Sequence, residues 1–315
     1  MDKYIIIVTV IDYVIKWKGI RLRDLLSDRR GFAFSLDVLL AIIPLTILLG
    51  MLAADMDNIM YLTQSTVYQS SLDRQASDVA DALVESSGTP PDWEQKGNPD
   101  SIGLARYDPV RKIPQKNYLS PAKIAGINTT NMGELVGPEY GYYINISTTE
   151  GLTVRTLGTL NTSAPDIARV ERYVLTTKVE RVGSLEGLIR DAGQPRTYTT
   201  NFPTNDAYLR IYDYWVLVIN RGYDSAFVDV NNNRVVPPNE INRHITEIKK
   251  QINETYLYNY TEFRDNILSV RTQSNPGASM DVYILAAPKG TPPGQITLDN
   301  VRVRPARFVL YLWLK

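Results

Sequence analysis

The chain has 315 residues, with Lys+Arg and Asp+Glu both at 34, no cysteine and one histidine. Balanced charge gives no global field for nucleic acid, and the lack of cysteine excludes disulfides, thiolate nucleophiles and Cys-based metal sites. The length suits one large or two modest domains, a size that folds without staples.

Residues 1–31 form a basic leader with seven Lys/Arg and four Asp/Glu, leaving 34−7 = 27 basic and 34−4 = 30 acidic residues in the rest. Within it, residues 4–15 (YIIIVTVIDYVI) are apolar but interrupted by Asp12. The next segment, Val38 to Ala54, runs 17 residues without a charge. Counted from Phe32, the stretch reaches 23 residues with Asp37 its only charge, long enough to cross a hydrocarbon core of roughly 30 Å. Pro44 would break a soluble helix but is tolerated in membrane helices. Lys16, Lys18, Arg21, Arg23, Arg29 and Arg30 precede the span, and no Lys or Arg follows it before Arg74. This asymmetry puts the N-terminus in the cytoplasm and residues 55–315 outside the cell membrane. Five N-x-S/T sequons, at Asn128, Asn145, Asn161, Asn253 and Asn259, all lie beyond the span. They are glycosylation candidates and would make an oligosaccharyltransferase a partner.

A secretory signal needs a shorter apolar region and small residues before the cut. A plain signal anchor explains the charges and the length, but not the abrupt Arg29-Arg30-Gly31-Phe32 junction or the early acid. RRGFAFSLDVLLAIIP (29–44) resembles the class III (prepilin) signal of archaeal type IV pilin-like proteins. GTPPDWE (Gly88 to Glu94), SIGLA (Ser101 to Ala105) and LSPAKIAGI (Leu119 to Ile127) are similar to segments that follow the helix in archaeal relatives. The resemblance implies that a prepilin peptidase removes the leader on the cytoplasmic side and that the apolar helix is retained. The bond is Gly31–Phe32, or one residue later if the early acid is to fall fifth in the mature chain. It also implies that Asp37 pairs with the freed amine of a neighbouring pilin-like subunit. A carboxylate one turn into the span would alternatively reach the cytoplasmic headgroups.

Beyond the span, Leu72, Ala76, Val79 and Leu83 recur at helical spacing, and Gly88, Pro90 and Pro91 predict a stop. Residues 92–120 read as loop, and Ser120-Pro121 opens a short helix through Ile127. Strands are predicted over 140–147, 152–157, 169–179, 208–220, 281–287 and 303–314, the last an interior strand apolar on both faces. Ile241, Ile245, Ile248 and Ile252 predict an amphipathic helix carrying His244. Asp229, Asn231, Asn233 and Glu240 echo a calcium loop, but Arg234 stands where the motif needs glycine, and a hairpin turning at Asn232-Asn233 explains the segment more simply. The Tyr-rich segment 254–260 could serve adhesion or a partly buried face.

The expected fold class is α+β: a long N-terminal helix, transmembrane then stalk, followed by a β-rich extracellular head domain. The segments are the leader 1–31, the transmembrane or filament-core helix 32–54, the stalk helix 55–87 and the surface head 88–315. The function expected is a type IV pilin-like structural subunit of the cell surface, with a head size suited to a minor or adhesive subunit. The partners are membrane lipid, other pilin-like subunits and the prepilin peptidase, with no nucleic acid. The alternative is a single-pass anchored extracellular binding domain that does not polymerise. No cofactor or metal is implied, and no catalytic constellation is present beyond the carboxylate pairs any chain this size contains.

Overall fold

The structure is a computed structural model that describes residues 29–96, 99–189, 196–272 and 277–315, with side chains from Val38 onward. The chain forms two compact units that meet between Tyr68 and Gln69. One α-helix, α1 (Arg29–Glu85), passes through Pro44 without interruption. In the first unit every side chain from Val38 to Tyr68 is exposed, and this is a helix long and apolar enough to cross a membrane. The leader residues 1–28 lie outside the described residues. Arg29, Arg30, Gly31, Phe32 and Asp37 lie in α1, but their side chains are also outside the described set.

The second unit contains the rest of α1 and the β-rich domain, so the chain is α+β with a long apolar N-terminal helix. In chain order come β1 (Gly88–Thr89), α2 (Trp93–Lys96), β2 (Ser101–Ile102), β3 (Ala105–Asp108), β4 (Ile113–Leu119), α3 (Pro121–Gly126) and α4 (Thr129–Val136). Then follow β5 (Tyr140–Thr148), β6 (Thr153–Gly158), β7 (Ala168–Thr176), β8 (Glu180–Ile189), β9 (Arg196–Thr204) and α5 (Asp206–Ile211). The chain continues with β10 (Tyr212–Arg221), β11 (Ala226–Val230), β12 (Asn233–Val236), β13 (Glu247–Gln251), β14 (Arg264–Thr272), β15 (Ser279–Pro288) and β16 (Arg304–Leu314).

Three larger sheets organise these strands. A six-stranded sheet runs β3-β4-β7-β16-β5-β6, and two four-stranded sheets run β13-β10-β15-β8 and β12-β11-β14-β9. The predicted interior strand 303–314 lies at the centre of the six-stranded sheet, antiparallel to β5 and β7. Phe308, Leu310 and Leu312 meet Ile144, Ile146 and the end of α1 in one core. The two four-stranded sheets share a second core through Val216, Val218, Ile284, Val228, Leu268 and Val270. The opposite faces of β10 and β15 are covered as well, with Trp215, Leu217 and Leu285 packed against Ile296. Burial on both faces is why these two strands read as continuous apolar runs.

Four expectations are corrected. Residues 92–120 are not loop but hold α2 and β2–β4. In the β4 sequence IPQKNYL only the last residue, Leu119, is buried, so it carries no apolar alternation. Residues 208–211 are helical, because Asn205 caps α5 by accepting the Tyr208 amide at 2.9 Å. The isoleucine series is not a helix. Residues 247–251 pair with the edge of β10, and the Ile252 amide donates to the Tyr214 carbonyl. β-branched isoleucine suits a strand. His244 therefore sits exposed in a turn. The 226–236 hairpin is present, but its turn is Asn231-Asn232, both left-handed at φ 48° and 65°. Asparagine tolerates that region, as the tight turn requires.

Candidate anchor helix and its seating in the head

The candidate site follows α1 through two environments. From Val38 to Ser71 the side chains are exposed around the full circumference. From Leu72 the helix becomes one-sided. Leu72, Ala76, Val79 and Leu83, the predicted face, are each at most 4% exposed, and Ala80 and Val84 join them. The flank is held electrostatically. Arg172 on β7 donates to both carboxylate oxygens of Asp81, at 2.7 and 3.1 Å, and to Ser77 Oγ at 2.8 Å. The Arg172 hydrogen bonds hold the Asp81 carboxyl below its usual range. Lys116 on β4 adds a bond to Glu85 at 2.5 Å.

A helix end leaves its last carbonyls without partners. Here segment 101–105 supplies one such partner, and segments 88–94 and 119–127 bond the chain just beyond the helix end. Leu104 of SIGLA donates its amide to the Leu83 carbonyl at 2.7 Å, and Ala105 donates to Ser86 at 2.9 Å. Trp93 of GTPPDWE, 2% exposed, donates Nε1 to the Gly103 carbonyl at 2.9 Å. Lys123 of LSPAKIAGI, also 2% exposed, donates Nζ to the carbonyls of Ser87 at 2.6 Å and Ala105 at 3.1 Å. Among the described residues Lys123 forms no salt bridge. It satisfies backbone oxygens, and burial lowers its pKa against the opposing pull of Glu94 and Asp92. Sequence reading missed this role because nothing in LSPAKIAGI marks the lysine as buried. Ser120, the predicted N-cap of α3, makes no side-chain cap bond.

Close to this seam lies a group of half-buried acids and buried phenols. Burial raises the Glu94 pKa, opposed mainly by Lys123, and Glu94 Oε2 is buried without a partner. Burial likewise raises Glu180, opposed by Arg106, and raises Tyr212, whose hydroxyl is buried and unpaired. Glu180 has a stated consequence for stability. Its folded pKa lies above the ordinary value of 4.5, so its contribution is complete below that pH and is lost as pH rises through the folded value. Glu180→Gln should therefore raise the urea midpoint at about pH 8 and leave it unchanged at about pH 4. Equal midpoints for both proteins at the two pH values would refute this.

The other predicted residues are dispersed. Asn128 is exposed and caps α4, accepting the amides of Thr130 and Asn131. Asn161, Asn253 and Asn259 are exposed in turns or loops. Asn145 instead sits half-buried within β5, opposite Val309, with Oδ1 buried and unpaired. The residues of the calcium-like loop serve other partners: Asp229 pairs with Arg234, Glu240 with Lys250 at 2.7 Å, and Asn231 Nδ2 donates to Tyr256 and Asn266. Among the described residues no group of three or more His, Asp or Glu is placed to hold a metal. In segment 254–260, Tyr258 and Tyr260 are exposed with ring centroids 6.1 Å apart.

No family model and no curated protein matches the chain. Among solved structures it is similar in part to a β-D-glucuronidase of Dictyoglomus thermophilum (12% identity, 48% of this chain, 28% of that chain, TM-score 0.22). It is also similar to BuGH86 in complex with neoagarooctaose (12%, 48% and 28%, TM-score 0.21). A third is the VP2 subviral particle of infectious bursal disease virus (12%, 57% and 58%, TM-score 0.19). The chain spans 28% of the length of the first two, and likenesses at these TM-scores carry no argument about fold or function.

Proposed function

We propose that the protein is a type IV pilin-like subunit of the cell surface. Its apolar helix stores it in the membrane and then packs in a filament core, while its β-rich domain faces outward. One observation carries the reading. A single helix is apolar and exposed on all sides over Val38–Ala54 and becomes one-sided and buried in the β-rich domain from Leu72. The Arg29-Arg30-Gly31-Phe32 junction and the basic flank support cleavage and a cytoplasmic N-terminus.

In cells that carry a prepilin peptidase, mass spectrometry of the membrane form should find residues 1–31 removed. The new N-terminus should be Phe32, or Ala33 if the bond lies one residue later. Gly31→Val should leave the full-length form dominant, with the processed form reduced at least tenfold. An intact Met1 or Tyr4 in the wild-type protein would overturn the pilin reading. An uncleaved leader together with absence from isolated filaments would favour an anchored domain that never polymerises.

A further inference from the structure

Most cations of the β-rich domain have carboxylate partners. Arg172 holds Asp81, Arg243 holds Asp224, Arg304 holds Glu150 and Asp299, and Arg221 holds Asp281. Arg155 and Lys178, which line one cleft, depart from that pattern. A hollow of about 510 Å³ lies between β6 with its preceding turn and the loop after β15. Its charged lining residues are Arg155, Lys178 and Lys289, and no carboxylate lines it.

Two of these cations are partly buried. Arg155 Nη2 donates to the Ile127 carbonyl at 3.2 Å, and its Nε is buried with no partner. Lys178 Nζ donates to the Thr153 carbonyl at 2.5 Å. Burial lowers the pKa of both, and no acid opposes the shift in either case. One acid near the rim pairs with the lining Lys289, and none pairs with Arg155 or Lys178. Glu150 pairs with Arg304, Glu254 with Lys289, and Asp213 accepts the Gly290 amide at 3.0 Å. Partly desolvated cations without a counter-charge are costly to the folded state, and an incoming anion relieves that cost.

The remaining wall sets the polar groups of Thr153, Thr156, Thr291 and Gln295 beside Leu152, Val154, Pro288 and Pro292. The volume falls within the roughly 300–1,000 Å³ typical of small-molecule sites, well beyond what a lone inorganic anion fills. We propose that this cleft binds a sugar phosphate or sugar sulfate. The tetrahedral oxyanion would lie among Arg155, Lys178 and Lys289, and the hydroxylated ring against the threonines and Gln295. This site is independent of the pilin reading, since it uses only the β-rich domain.

The test is isothermal titration calorimetry on the full chain in detergent micelles. Glucose 6-phosphate and glucose 6-sulfate should show saturable binding that weakens with added salt, and the tighter of the two identifies the ester preferred. Neutral glucose should show none. Lys178→Gln should weaken binding at least tenfold with an unchanged melting temperature. Lys289→Gln, at an exposed position, provides a second variant should Lys178→Gln fail to fold. Three results would each overturn the assignment: no saturable binding of either ester, equal binding by variants and wild type, or glucose binding as well as its esters. Inorganic phosphate binding as tightly as glucose 6-phosphate would overturn the assignment of a sugar-sized ligand.

Discussion

Trp93→Ala should lower the melting temperature of the β-rich domain by about 10 °C. Replacing a buried tryptophan by alanine typically costs about 3–5 kcal/mol, and a domain of this size loses about 2–4 °C per kcal/mol. Trp93 is 2% exposed, its ring packs against Gly88 and Gly126, and its Nε1 satisfies the Gly103 carbonyl. The alanine variant removes the ring volume and leaves that buried carbonyl unpaired together. Trp93→Phe separates the two contributions, because it keeps most of the ring and loses the hydrogen bond, at about 1 kcal/mol. Thermal melts followed by near-ultraviolet circular dichroism read both. A shift under about 2 °C for the alanine variant would show that the seam does not depend on this side chain.

Gly103→Ala should destabilise the same seam by about 3 kcal/mol or more, the upper range for overpacking. A Cβ at Gly103 would overlap the carbonyl group of Ser86 and the amide nitrogen of Gly88. Those are backbone atoms and cannot rotate away as a side chain would. The neighbouring amides of Leu104 and Ala105 are bonded to Leu83 and Ser86, so the strand cannot retreat without releasing the end of α1. Because Trp93 and Gly103 share one hydrogen bond, the double variant should cost less than the sum of the singles. Urea midpoints of the four proteins check this, and strict additivity would show that the two act separately.

The parts of the fold legible in the sequence were those where one burial pattern ran long enough to dominate. Leu72, Ala76, Val79 and Leu83 marked the buried face of α1, and the alternating apolar residues of 303–314 marked a central strand. Legibility failed where partners remote in sequence decided the conformation. Ile248 and Ile252 are extended because β10 offers them backbone hydrogen bonds, while their spacing fits a helix equally well. Residues 208–211 were masked by the aromatic run that follows them. β4 was invisible because only its last residue, Leu119, is buried, which leaves no apolar alternation to read. Of the candidate site, the long apolar helix could be read directly, since hydropathy is a local property. Lys123 could not, because its partners are carbonyls belonging to residues 18 and 36 positions away.

The pairing of Arg172 with Asp81 and Ser77 has a mechanical meaning. Tension applied along α1 reaches the β-rich domain through this clamp and the buried face beside it. It therefore enters the six-stranded sheet at β7, next to the central β16, rather than at the outermost strand β6. β16 is hydrogen-bonded along nearly its whole length on both sides, so the load is shared among many backbone bonds instead of peeling them one by one. That placement opposes separation of α1 from the sheet without any covalent cross-link.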